Sequence, residues 1–151
     1  MVVLPPWSRT GWAQFPTLAV AMKWVLPEID TLKAVRLRNE YRQGLRELIA
    51  PDVFIPEVAH ALTKMERRGI VPVGFAERRM LNIINCLPDL FPTLPLVRRA
   101  IQIASHARIA VYDCLYVALA EREGCELITA DEKLIRNLQA DFPFIIALSL
   151  L

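Results

Sequence analysis

A chain of 151 residues, 54% hydrophobic and 23% charged, is long enough to close one sizeable core and too apolar to remain disordered. A net charge of +2 permits a nucleic-acid partner without arguing for one. Charged residues interrupt every apolar run well short of the ~18 needed to span a membrane, and the first residues lack the basic start and long apolar core of a signal peptide. Cys86, Cys114 and Cys125 are odd in number, lack metal-like spacing and lie in apolar surroundings. They read as reduced core thiols of a cytoplasmic protein.

In chain order, residues 1–19 form the least coherent segment. Met1 to Leu4 has the composition of an opening strand, and Pro5 to Pro16 reads as loop, punctuated by proline and glycine. Gln14 to Thr17 is a poor central strand, because proline cannot donate to the ladder. The organised domain is expected over 20–151. Thr17 to Leu26 is apolar apart from Lys23 and reads as strand or short helix. A helical region opens at Pro27-Glu28, with an apolar face including Leu32, Val35 and Leu45 and a polar face carrying Arg36, Arg38, Arg42 and Arg46. Ala50 to Ile55 reads as a strand entered through proline. Pro56-Glu57 opens a helix that runs to about Arg68 and stops at Gly69. Helices follow over 73–86 and 96–107, separated by a loop with a short strand at Leu90-Phe91.

The stretch from Tyr112 to Leu138 organises the rest. From Ile109 to Ala120 every residue but Asp113 is apolar, the pattern of a buried helix. Gly124 stops it. Cys125 to Thr129 is a short strand, Asp131-Glu132 opens another helix, and Phe144 to Leu148 is a final strand. A helix of about eleven residues travels roughly 16 Å at ~1.5 Å per residue. A five-residue strand returns about the same distance at ~3.3 Å per residue. Asp113 and Asp131 are thereby brought to one edge of the sheet, the carboxyl end of its strands, where open α/β sheets bind ligands. Strands alternating with helices predict a three-layer α/β/α sandwich around a mainly parallel sheet.

Three acids share that edge, each at a helix start: Glu57, Asp113 and Asp131. First-turn acids also serve as caps and dipole partners, worth ~0.3–1 kcal/mol each. That ordinary role suffices for Asp131 and is fair for Glu57, but is weaker for Asp113, a carboxylate in an apolar context. Together the three are the pattern of a divalent-cation site, since Mg²⁺ and Mn²⁺ take oxygen ligands and hold phosphates.

The segments from Val20 to Glu28, Pro51 to Lys64 and Tyr112 to Leu134 together resemble PIN-domain proteins, specifically the VapC-like toxins of toxin–antitoxin pairs. The match covers roughly 20–148 in the right order. The resemblance implies a Mg²⁺- or Mn²⁺-dependent endoribonuclease with Glu57, Asp113 and Asp131 as metal and catalytic residues and Thr129 as a hydroxyl near the metal. It also implies an RNA substrate, a homodimer and a cognate antitoxin. Thr129 is equally a helix cap. The family opens with a strand ending in Asp-Ala-Ser, and here Thr17-Leu18-Ala19 stand in that place, so its first aspartate is replaced by Thr17. Glu28 and Asp30 lie too far along the chain to substitute for it. The expected activity is therefore weakened, and the alternative is a catalytically silent PIN-like protein that binds RNA or an antitoxin.

The remaining features carry less. The arginines, including the pairs at 67–68, 78–79 and 98–99, read as solvated helix faces or as a track for an RNA backbone. Trp7 and Trp12 suit loop packing or base stacking. His60 and His106 are isolated, and Tyr112 and Tyr116 read as core. The apolar face between Lys23 and Ile49 is a candidate partner surface. A phosphoryl-accepting receiver domain shares the fold class but needs an acid cluster after the first strand, which is absent here.

Overall fold

The computed structural model describes residues 13–151, with backbone alone for 13–16. The chain begins with strand β1 (Ala13–Pro16) and helix α1 (Leu18–Met22). Helix α2 (Thr31–Arg42), strand β2 (Glu47–Pro51), and helices α3 (Phe54–Arg67) and α4 (Phe75–Ile84) follow. Strand β3 (Asp89–Phe91) and a 3-10 turn at Leu94–Leu96 lead into α5 (Val97–Ala107) and α6 (Val111–Glu123). Strand β4 (Glu126–Thr129), helix α7 (Glu132–Leu138) and strand β5 (Ile145–Ala147) complete the sheet.

The strands form one sheet in the order β3-β2-β1-β4-β5, every pairing parallel. Parallel strands require helical crossovers, which cover the sheet and make it the middle layer of an α/β/α sandwich. The strand order runs outward one way from β1 through β2 to β3, then resumes on the other side at β4. The crossovers therefore diverge at the β1–β4 boundary and leave a crevice at its carboxyl end.

β1 differs from the expectation. The Met1–Leu4 strand lies outside the described residues, and it is Ala13–Pro16, within the segment read as irregular, that forms the central strand. The hydrogen-bond pattern explains why a proline is tolerated there. Pairing with β2 ends at Gln14 and Leu48, whereas pairing with β4 runs on to Pro16 and Ile128, and the Thr17 amide donates to the Ile128 carbonyl. Successive residues of a parallel strand direct their N–H groups to alternate neighbours. With Thr17 facing β4, Pro16 faces β2, where the ladder has already ended.

The same alternation corrects the second strand. It was expected over Ala50 to Ile55 and instead spans Glu47–Pro51, with Pro51 at its exit and Phe54 already helical. The Asp52 amide donates to the Phe91 carbonyl of β3, so the missing donor of Pro51 points toward the open end of the β1–β2 ladder. The last strand is likewise shorter than Phe144 to Leu148.

The core lies on both faces of the sheet. Leu48, Leu127, Ile128 and Ile145 on the strands and Phe54, Leu62, Leu119 and Leu138 on the helices are fully buried. Each such side chain contributes ~1.5–3 kcal/mol relative to exposure. Helix α6 is buried from Cys114 through Ala120, as its apolar run requires, and packs against α5, β2 and β4. Its first turn is less buried than expected: Tyr112, read as core, is 55% exposed. Gly124 ends the helix in the left-handed conformation at φ 67°, donating no side chain to clash there. None of the three cysteines forms a disulfide, and Cys125 is only half-buried. No single helix among the described residues is long and apolar enough to cross a membrane.

Candidate active site

A cavity of about 380 Å³ opens at the carboxyl end of β1 and β4. Its walls come from the ends of those two strands, from α1 and the loop after it, from Met65 of α3, and from the N-terminal parts of α6 and α7. Thr17, the residue after β1, meets Thr129, the last residue of β4, through a 3.3 Å hydrogen bond between their hydroxyls. Thr129 is fully buried. Its Oγ1 also accepts the Asp131 amide at 3.0 Å, so it fixes the turn that presents the next acid.

Asp131 caps α7. One carboxylate oxygen accepts the amides of Lys133 at 2.8 Å and Leu134 at 3.1 Å, satisfying two donors that the helix itself leaves unpaired. That engages one oxygen and leaves the other for the cavity. Asp113, in the first turn of α6, lines the same cavity and makes no hydrogen bond among the described residues. Burial pushes its carboxyl above the usual carboxylate range, the negative charge of Asp131 adds to the rise, and Lys133 opposes it. A carboxylate half withdrawn from water, facing a second and lacking a hydrogen-bond donor, is a group that a cation would relieve.

Glu57 takes a different position. In the first turn of α3, its Oε2 accepts the Tyr116 hydroxyl at 2.6 Å. Burial raises its carboxyl as well, against the lowering effect of the Tyr116 hydrogen bond, and Asp113 raises it further. Glu57 therefore interacts electrostatically with Asp113, but does not line the cavity; it reaches the lining through its hydrogen bond from Tyr116. Among the described residues no set of three or more His, Cys, Asp or Glu side chains is disposed to hold one ion. The three acids share the predicted edge, with Asp113 and Asp131 on the cavity and Glu57 joined to it through Tyr116.

Three residues gain roles that the sequence reading did not give them. Tyr116, read as core, is buried yet lines the cavity and orders Glu57; it lies three positions after Asp113, hence on the same helix face. Glu28 was considered too distant to contribute, but the loop after α1 folds back and brings it to the cavity wall. Lys23, 9% exposed, ion-pairs there with Glu28 at 3.1 Å. Its sequence signal was the same as that of Asp113, a lone charge in an apolar run. Asp30 is not on the cavity; it lies beside Lys33 at 3.9 Å. The arginines of this region are partly committed, with Arg36 of α2 and Arg46, just before β2, both bound to Glu40 and holding its carboxyl below the usual range.

A five-stranded parallel sheet whose central strands end in a hydroxyl-and-carboxylate cavity defines an α/β protein with an acidic carboxyl-edge site. The PIN domain family model matches residues 19–138, and the chain belongs to that family. Ribonuclease VapC3 of Pyrobaculum aerophilum is 33% identical over 101 residues, covering 63% of this chain and 74% of that protein. Ribonuclease VapC9 of Mycobacterium tuberculosis is 31% identical over 104 residues, covering 65% and 80% respectively. The fold is also that of PAE2754 from Pyrobaculum aerophilum in its crystal structure, with a TM-score of 0.68 over 92% of this chain and 85% of that one at 18% identity.

Proposed function

We propose that the protein is a divalent-metal-dependent endoribonuclease of the VapC toxin type, with its metal site reduced at Thr17. The observation that carries this reading is the pairing of Asp113 and Asp131 in one cavity, with Asp113 raised by burial and by its neighbour's charge. Mg²⁺ is commonly held by one or two carboxylates, with waters and phosphate oxygens completing its shell. Asp113 and the free oxygen of Asp131 suit that mode. When bound, such an ion would supply polarisation of a phosphodiester oxygen and a lowered pKa for a coordinated water. Asp113 would hold the ion, Asp131 would hold it and anchor the α7 turn, and Thr129 would orient Asp131 through its amide. Glu57, raised by burial against the opposing hydrogen bond from Tyr116, would complete the acidic field or accept a proton.

The names of the relatives support an RNA substrate for this chain, and the same likeness suggests a cognate antitoxin and a homodimer. A second reading, a catalytically silent protein that retains RNA or antitoxin binding, is favoured by Thr17, which puts a hydroxyl at the end of β1 where the family pattern has an acid.

Calorimetric titration of Mn²⁺ and Mg²⁺ into the wild-type chain and Asp113→Asn, paired with an RNA cleavage assay, tests both. Metal binding and cleavage that are both lost in the variant support the nuclease. RNA binding without metal binding or cleavage supports the silent reading.

A further inference from the structure

The cavity wall carries a buried lysine. Lys23 follows α1, and its side chain is 11% exposed. Its neighbours on that wall are Leu18, Met22 and Leu26, so an apolar side chain would fill the position without the desolvation penalty of an ammonium group. Its carboxylate partner Glu28 is 52% exposed, and a solvated acid offsets little of that penalty. An ammonium carries three N–H donors, and Glu28 engages one. Lys23 is the one cation among the described residues that line the cavity.

The charge balance of the cavity points the same way. Three carboxylates, Asp113, Asp131 and Glu28, line it against one ammonium, Lys23, and Thr17 contributes no charge. A phosphodiester approaching Asp113 and Asp131 is repelled by both. With a divalent ion balanced by Asp113 and Asp131, and Glu28 half in solvent, the Lys23 ammonium is the positive group of the wall that a phosphate oxygen can contact directly. We propose that Lys23 is a phosphate-binding residue of this cavity, held ready by Glu28, and that it contacts a backbone phosphate of single-stranded RNA. The assignment rests on the ribonuclease reading and extends it to the substrate side of the site.

The test measures binding of a short, labelled single-stranded RNA in EDTA over a range of salt, for wild type, Lys23→Gln, Lys23→Arg and Glu28→Gln. Cleavage in Mn²⁺ and thermal melting are followed in parallel. Loss of one charge-assisted contact weakens binding by about tenfold. Loss of one phosphate contact lowers the slope of log K against log salt by about 0.7 on a single strand. Lys23→Gln is expected to show both effects, Lys23→Arg to retain the wild-type slope, and Glu28→Gln to bind as tightly as wild type or more so. An unchanged slope in Lys23→Gln, or the same loss in Glu28→Gln as in Lys23→Gln, would overturn the assignment and make the pair a structural one. Wild-type protein that cleaves RNA while Lys23→Gln matches it in every readout sinks the lysine alone. Wild-type protein that neither binds nor cleaves RNA removes the underlying reading and the lysine assignment with it.

Discussion

Tyr116→Phe isolates the contact that links the helix core to the acidic site. The ring is buried and phenylalanine keeps its volume, so the change removes one hydroxyl and one hydrogen bond, the 2.6 Å contact to Glu57 Oε2. A hydrogen bond to an ionised acceptor is worth ~1.5–3 kcal/mol. In a domain of this size each kcal/mol shifts Tm by ~2–4 °C, so a drop of roughly 3–12 °C is expected near neutral pH. The pH dependence has a definite sign. The hydroxyl favours ionised Glu57 and so works against the upward push of burial. Its contribution is present above the Glu57 pKa and is lost as pH falls through it. The Tm gap between wild type and variant should therefore shrink on acidification, toward the ~1 kcal/mol of a neutral hydrogen bond. Wild type itself should lose stability as pH rises from the ordinary carboxylate range, because Glu57 and Asp113 both bind protons more tightly folded than unfolded. The assay is circular-dichroism melting from about pH 4 to about pH 8 for wild type, Tyr116→Phe, Glu57→Gln and the double variant. A gap that is constant with pH, or a double variant equal to the sum of the singles, would refute the coupling.

Three further outcomes follow from the same geometry. Thr17→Asp adds a carboxylate to the end of β1, beside Thr129; it should tighten Mn²⁺ binding by roughly tenfold or more, about 1.4 kcal/mol, while lowering the metal-free Tm through like-charge repulsion. Calorimetry that finds no gain would mean that Thr17 is not directed at the metal position. Asp131→Ala removes the cap of α7 and should cost ~0.5–2 kcal/mol in melting experiments, whereas Asp131→Asn keeps an acceptor for the Lys133 and Leu134 amides. If Asp131→Asn keeps the wild-type Tm and metal affinity alike, the residue is a cap and nothing more. Gly124→Ala forces a side chain into the left-handed conformation at φ 67° and should destabilise by ~1 kcal/mol in denaturant melts, with cleavage unchanged because α6 keeps its register.

Much of this molecule was legible in the chain. The apolar run before Gly124 could only be a buried helix, and helix α6 is buried from Cys114 to Ala120. The short distances covered by α6 and β4 sufficed to bring Asp113 and Asp131 to one edge, because a helix and a strand of those lengths cancel. Alternation of strands and helices specified the parallel sheet, and the order of segments specified the family.

What escaped the sequence depended on neighbours distant in the chain. A proline disqualifies a strand only if its missing donor faces a partner, and the register that leaves Pro16 and Pro51 beyond the end of the β1–β2 ladder is a property of two strands together. Glu28 reaches the cavity because the loop after α1 folds back, which linear spacing cannot express. Tyr116 reads as core by composition, and its burial agrees; that its hydroxyl ends on Glu57 follows from the packing of α6 against the start of α3. The sequence by itself determined which residues are apolar, where helices stop and which acids begin them, since these rest on local backbone preference and burial. Only the tertiary structure decided which of those acids share a cavity, which one takes a tyrosine hydroxyl and which lysine joins them, because electrostatic partnership is set by distance in space.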